Sequence, residues 1–276
     1  MVYLGKDAQS AQPFMFFPFT LGRNRIKAVP LFSWGKHEGG KGKDKYMIVV
    51  YAATRNLYEP LRITMRSLLA HNRPEMIYIL AEDDALPYDI DAPHKVINVS
   101  GQTYFKPDGA NANSVFTYMA MMRLLYVDLM PDVDKVLQLD VDTVVCEDLT
   151  PLWNIDLTGL WCACVPEYMS NYKPYHMQYY NVGVALINLA QLRADHIVPL
   201  MIEDLNINRY PCIEQDVINK YGVPLRRVVG LPVRFNDSFC CGHSENPAIV
   251  HYAGSADWFT NKNVLNRGYL ERYLDG

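Results

Sequence analysis

Two aspartates separated by one residue, Asp140-Val141-Asp142, follow directly on the largely apolar run Lys135-Val136-Leu137-Gln138-Leu139. If that run is a β-strand, alternation turns both carboxylates to the same side at the strand's carboxyl edge. Carboxylates placed so close repel each other and lose hydration unless a cation lies between them. Hard oxygen ligands suit Mg²⁺ or Mn²⁺, which then takes diphosphate oxygens to complete its coordination. The competing reading is a pair of solvated loop acids. The apolar strand in front of the motif, within an α/β pattern, brings the metal reading level with it.

The elements that must position these aspartates can be read from periodicity. Residues 46–53 (YMIVVYAA) form a continuous apolar run rich in β-branched residues, the pattern of a buried strand. Residues 57–70 carry Leu57, Leu61, Met65, Leu68 and Leu69 at helical spacing. Strands are expected at 76–80, 95–99 and 135–139, with a helix over 113–129 that places Met119, Met122, Leu125 and Leu129 on one face. Further on, strands are expected at 160–165, 182–188 and 248–252, and helices at 189–206 and 213–221. Strands alternating with helices imply an α/β fold with a mostly parallel sheet covered on both faces. Ligands of such sheets bind outside the carboxyl ends of the strands, where Asp140 and Asp142 fall.

The chain has 276 residues, enough for one large α/β domain. A net charge of −4 gives no broad positive field and argues against a nucleic-acid partner. No run approaches the roughly 18 apolar residues of a membrane span, and residues 1–10 do not read as a secretory signal. The six cysteines, Cys146, Cys162, Cys164, Cys212, Cys240 and Cys241, include adjacent and one-apart pairs that make an awkward disulfide set. They read as reduced thiols of a cytoplasmic protein, and the spacing of Cys162, Cys164, Cys240, Cys241 and His243 fits no usual zinc pattern. Residues 1–45 read as an N-terminal extension. Its aromatic cluster at 14–19, with Arg23, Arg25 and Lys27, either packs on the main domain, the plainer reading, or touches the inner face of a membrane through residues 14–27.

Three more segments follow the aspartates: Tyr179-Tyr180-Asn181-Val182-Gly183-Val184-Ala185-Leu186-Ile187-Asn188-Leu189, then Glu214-Gln215-Asp216-Val217-Ile218-Asn219, then His251-Tyr252-Ala253-Gly254-Ser255-Ala256-Asp257-Trp258. In this order, with the Asp-x-Asp strand, they resemble glycosyltransferase family 8, which includes the bacterial lipopolysaccharide galactosyltransferases and glycogenin. The resemblance runs from about residue 46 to residue 258.

That resemblance implies a Rossmann-like nucleotide-sugar binding domain of the glycosyltransferase A type over residues 46–276. It implies a retaining hexosyltransferase moving glucose or galactose from a UDP-sugar to a saccharide or glycolipid acceptor with Mn²⁺, or Mg²⁺ in its place. Asp140, Asp142 and His251 match the metal ligands. Ala52, Ala53 and Asn56 match the turn that holds uracil and ribose, Arg123 and Val141 match contacts to the sugar nucleotide, and Gly254 matches the glycine at the diphosphate. Asn181, Gln215 and Asp216 match residues around the donor sugar, with Gln215 and Asp216 shaping the face opposite the leaving group. The tyrosines at 168, 172, 175, 179 and 180 offer either an acceptor lip or plain loop packing.

The sequence departs from the family pattern at three places. Thr54 stands where an Asp is common, Glu214 replaces the first Asp of Asp-Gln-Asp, and Asp257 stands where a Lys neutralises the diphosphate. A carboxylate near a diphosphate is repulsive by on the order of 1–4 kcal/mol at 4 Å, so either Asp257 turns away and Lys262 substitutes, or donor binding is weakened. The alternative function is a non-catalytic nucleotide-sugar binding protein on the same fold. A nucleotidyltransferase fits less well, because residues 52–57 lack a Gly-rich basic loop.

Overall fold

The computed structural model describes residues 46–168, 178–254 and 257–274. The extension 1–45, including the segment at 14–27, and Tyr172 and Tyr175 lie outside the described residues.

Strand β1 (Ile48–Ala52) is the expected buried strand. Its pleat sends Val49 and Tyr51 into one core and Val50 into the other, so both faces of the sheet are covered from the first strand onward. A 3₁₀ turn (Arg55–Leu57) leads into α1 (Tyr58–His71), then β2 (Met76–Ala81) and β3 (His94–Asn98). Next come α2 (Tyr118–Met121), a 3₁₀ turn (Met122–Leu125), α3 (Tyr126–Leu129), β4 (Lys135–Leu139), β5 (Thr143–Val145) and α4 (Thr150–Trp153). The chain continues through β6 (Cys162–Pro166), β7 (Tyr180–Asn188), α5 (Leu189–Asp195), α6 (Val198–Ile207), α7 (Ile213–Gly222) and β8 (Val228–Gly230). A 3₁₀ turn (Val233–Phe235), β9 (Ile249–His251) and α8 (Arg267–Glu271) close it.

Seven strands form one sheet in the order β3-β2-β1-β4-β7-β6-β8, and β5 pairs with β9 in a two-stranded sheet. Pairings β1–β2, β2–β3, β1–β4 and β6–β8 are parallel, whereas β7 runs antiparallel to both β4 and β6. The sheet is therefore mixed and largely parallel, with one reversed strand. That reversal brings the start of β7 to the same edge as the ends of β1 and β4. The order also turns back between β1 and β4, the kind of switch point at which ligands of such sheets bind.

Two expected helices differ. Over 113–129 the helix begins only at Tyr118. Asn111 ties the preceding turns down, donating to the carbonyls of Leu205 and Asn208 and accepting from Tyr210 N–H. Over 189–206 two helices stand instead of one, because His196 takes a left-handed φ of 51° and Pro199 opens the next helix.

Candidate metal and donor site

Asp140 follows β4 and Asp142 precedes β5, so the short β4–β5 turn carries both carboxylates. Thr143 fixes that turn, its hydroxyl donating to the Asp140 carbonyl at 2.7 Å. His251 ends β9, which pairs with β5 in the register Thr143↔His251, and Tyr252 N–H donates to the Asp142 carbonyl at 2.9 Å. Pairing with β5 thus delivers the imidazole to the aspartates although about 110 residues separate them. The His251 Nε2 lies 3.2 Å from Asp142 Oδ1 and 3.7 Å from Asp140 Oδ2. One ligand atom from each of the three residues falls within 4.8 Å of the others, and this is the group of metal-binding type found among the described residues.

The imidazole is oriented from behind. Its Nδ1 sits 2.8 Å from Asn236 Oδ1, and Asn236 Nδ2 donates in turn to Asn181 Oδ1 at 2.8 Å. Asn236 Oδ1 can only accept, so Nδ1 carries a proton, and in the neutral imidazole the Nε2 lone pair faces two carboxylates. Acceptors facing acceptors require a cation among them. Asp140 also pairs with Arg123 at 2.7 Å, and Arg123 reaches Glu214 at 3.1 Å. With neutral His251, the ionised Asp140, Asp142 and Glu214 against one guanidinium leave two negative charges, which a divalent ion balances.

The pKa shifts express the same frustration. Burial pushes Asp140 up to about 6 against the pull of Arg123. It pushes Glu214 up to about 7. Burial also works against ionisation of Asp142, but His251 outweighs it and holds that carboxyl below its usual value. At His251 burial disfavours the imidazolium, and the Asp142 and Asp140 carboxylates reverse this, raising it to about 9. A proton on His251 substitutes for the metal. The donor set of two carboxylate oxygens and one neutral imidazole nitrogen fits Mn²⁺ or Mg²⁺.

Space for this cluster comes from Gly183 in β7. A Cβ there would lie 2.3 Å from His251 Cε1 and 2.8 Å from Asp140 Oδ2. Any side chain there would force His251 and Asp140 to shift.

Beside the cluster, Asn181 and Gln215 form a buried polar floor. Asn181 Nδ2 donates to Glu167 Oε2 at 3.1 Å, and Gln215 Nε2 donates to Glu167 Oε2 at 3.2 Å and to Tyr179 Oη at 3.0 Å. The Gln215 carbonyl oxygen accepts Val182 N–H at 3.0 Å. Asp216 accepts from Tyr179 at 2.6 Å and from Cys212 N–H at 2.8 Å. At the end of β1, Ala53 is buried and Asn56 accepts from the Thr54 hydroxyl at 2.6 Å. Val141 is half-buried between the aspartates. Gly254 adopts φ 79°, a conformation that favours glycine. After it, Trp258 is buried and stacks on Tyr252 at 5.0 Å.

The sequence model of glycosyl transferase family 8 matches residues 49–258. The chain belongs to glycosyl transferase family 8. Members of this family are retaining glycosyltransferases, and the Asp140–Asp142–His251 cluster is a candidate divalent-cation site consistent with their metal-dependent catalysis.

Solved structures share the fold. The galactosyltransferase LgtC in complex with donor and acceptor sugar analogues matches with a TM-score of 0.64 at 22% identity, over 83% of this chain and 95% of that one. The bifunctional glycosyltransferase WbbM matches with a TM-score of 0.65 at 16% identity, over 86% of this chain and 51% of that one. The glycosyltransferase GlyE of Streptococcus pneumoniae matches with a TM-score of 0.60 at 21% identity, over 84% of this chain and 61% of that one. No curated protein matches the chain by sequence. The fold is thus the glycosyltransferase A type that the four motifs implied.

The structure brings several of these positions together. Asp140, Asp142, His251 and Arg123 meet at one point, and Asn181, Gln215 and Asp216 line the adjoining floor. Arg123 is no helix-surface salt bridge, because the 3₁₀ turn that carries it aims it inward between Asp140 and Glu214. Of the described tyrosines in that stretch, Tyr179 and Tyr180 are buried, whereas Tyr168 is exposed. All six cysteines are free. Sequence reading missed Asn236 and Glu167, which carry no motif of their own, and treated Gly183 as part of a strand pattern. A glycine in the middle of an apolar strand is itself a signal of close approach.

Proposed function

We propose that this protein transfers a hexose, glucose or galactose, from its UDP conjugate to a hydroxyl of a saccharide or glycolipid, with retention of the anomeric configuration. The single observation that carries this reading is the convergence of Asp140, Asp142 and His251 at the carboxyl end of β4, beside the β1/β4 switch point. In this reading the three residues hold Mn²⁺, with Mg²⁺ as the substitute. When bound, the ion supplies Lewis-acid stabilisation of the charge that builds on departing UDP.

The chain's own residues set the rest of the chemistry. Ala52, Ala53 and Asn56 receive the uridine, Val141 packs against the nucleotide, and Gly254 offers backbone at the diphosphate. Arg123, held between Asp140 and Glu214, contacts the sugar nucleotide while limiting the repulsion between those carboxylates. Asn181, Gln215 and Asp216 bound the far face of the donor sugar. The Gln215 oxygen is neutral and already accepts a backbone N–H, which argues against a nucleophilic role. The reading is therefore a front-face displacement in which the leaving phosphate takes the proton of the acceptor hydroxyl. A glycosyl group trapped on any side chain overturns that route.

In this reading the protein works in the cytoplasm, where residues 14–27 either pack on the main domain, the plainer reading, or touch the inner face of a membrane. The free cysteines are compatible with that location. The deciding experiment measures UDP release from UDP-glucose and UDP-galactose with Mn²⁺ and no acceptor. Slow release that disappears in Asp142→Ala is expected. Tight UDP binding with no release from any UDP-hexose, with or without acceptors, would establish a binding protein instead.

A further inference from the structure

A groove of about 430 Å³ lies between α3 and α6, apart from the metal site. Tyr104, Val127, Pro199, Ile202 and Ile207 line it, so its wall is largely apolar. Ile207 is 65% exposed and Tyr104 is 41% exposed. Single apolar residues scattered over a surface need no explanation, but contiguous apolar surface in a concave site marks a place where something docks. Asp128 and Glu203 stand exposed on the rim.

The position of the first described residue bears on the occupant. β1 pairs with β4 in the parallel register Val49↔Leu137. Continued three residues back, that register sets Tyr46 level with Asp134. Val127 stands seven residues before Asp134 and is therefore within about 25 Å of it. Residues 20–45, fully extended, reach about 85 Å. The aromatic segment at 14–19 is thus tethered well within range of the groove, at a high effective concentration. It carries four phenylalanines and a methionine in six residues, apolar surface that gains by leaving water.

The charges agree with this occupant. Residues 1–45 hold eight basic side chains against three acidic ones, whereas the rest of the chain is acidic in balance. Arg23, Arg25 and Lys27 follow the aromatic segment, and Asp128, Asp132 and Glu203 are exposed around the groove and the turn that leads into β4. The same acids repel an anionic membrane surface.

We propose that residues 14–19 dock in the α3–α6 groove of their own chain, with Arg23, Arg25 and Lys27 set against Asp128 and Glu203. The docked strap fastens α3, next to the turn that bears Arg123, to α6. Docking does not depend on the transferase reading.

The test uses the full chain with Phe16→p-benzoylphenylalanine, photolysed without lipid, and maps the adducts by mass spectrometry. Adducts are expected within residues 126–129 or 198–207, falling about fivefold or more in Ile202→Glu, which sets a carboxylate against the rings. A full chain carrying Phe14→Ser, Phe16→Ser, Phe17→Ser and Phe19→Ser together leaves the groove itself unaltered. In it, amide exchange over residues 198–207 is expected to quicken about tenfold.

Adducts elsewhere on the chain overturn the docking, and so does unchanged exchange in the serine variant. Adducts joining an isotope-labelled copy to an unlabelled one overturn it in favour of a dimer. Adducts that form only on lipid, when vesicles of phosphatidylglycerol and phosphatidylcholine are added, overturn it in favour of a membrane contact.

Discussion

Gly183 shows how one missing side chain sets the metal site. Alanine there would push its methyl into both His251 and Asp140, and a displacement of about 1 Å can cost on the order of 100-fold in rate. Gly183→Ala is therefore expected to fold, yet to lose about 100-fold in Mn²⁺-dependent UDP release. Asn236 acts on the same imidazole from the opposite side. Asn236→Ala should weaken Mn²⁺ binding by about 10- to 100-fold, read by electron paramagnetic resonance of the free ion. The pH dependence follows from His251, whose imidazolium persists to about 9. Below that pH a proton competes with the metal, so binding at pH 7 releases it and affinity rises with pH, by about tenfold per unit at most, until about pH 9. An Mn²⁺ affinity constant between pH 6.5 and 8.5 would contradict this assignment of the third ligand.

At the scale of elements, α6 and α7 are joined through one carboxylate. Asp204, nearly buried, accepts from Lys220 at 2.7 Å, Tyr221 at 2.8 Å, Tyr210 at 2.9 Å and Asn208 at 2.7 Å. Burial alone would raise its pKa, but these donors outweigh it and the group stays below its ordinary value. A lowered native pKa means that the contribution is full above the unfolded value near 3.9 and is lost as the pH falls through the native one. Asp204→Ala should cost about 3 kcal/mol at neutral pH by urea unfolding, with a smaller difference in strong acid.

Element-scale features also mark what the sequence could reveal. β1, β4 and β7 were legible because long apolar runs leave little choice, and the Asp-x-Asp position followed from β4. β5 and β8, three residues each, carry no period to read. The start of α2 depended on Asn111, whose partners lie about 94 residues or more away. The candidate metal ligands Asp140, Asp142 and His251 were legible through family motifs, and the structure brings them together. Asn236 and Glu167 were not, since their roles arise only from the tertiary placement of Asn181 and His251.

For the whole molecule, the metal ligands link two sheets. Asp140 leaves the seven-stranded sheet, while Asp142 and His251 flank the β5–β9 pair, which packs with Ile63, Tyr252, Trp258 and Leu270 in a core of its own. An ion held by all three residues binds the native state alone. At a concentration 100-fold above its dissociation constant, Mn²⁺ should stabilise the fold by about 2.7 kcal/mol. That corresponds to a melting temperature about 5–10 °C higher, reversed by EDTA and absent in Asp142→Ala. A melting temperature indifferent to Mn²⁺ would show that the ion does not bridge these parts.

The late position of β9 has a consequence for the order in which the chain becomes competent. Every strand of the large sheet is encoded by residue 230, but the imidazole arrives only at residue 251. A nascent polypeptide halted between those points holds the complete seven-stranded scaffold and both aspartates, yet lacks the last ligand. Binding of a cation by all three residues therefore requires the chain to extend through residue 251.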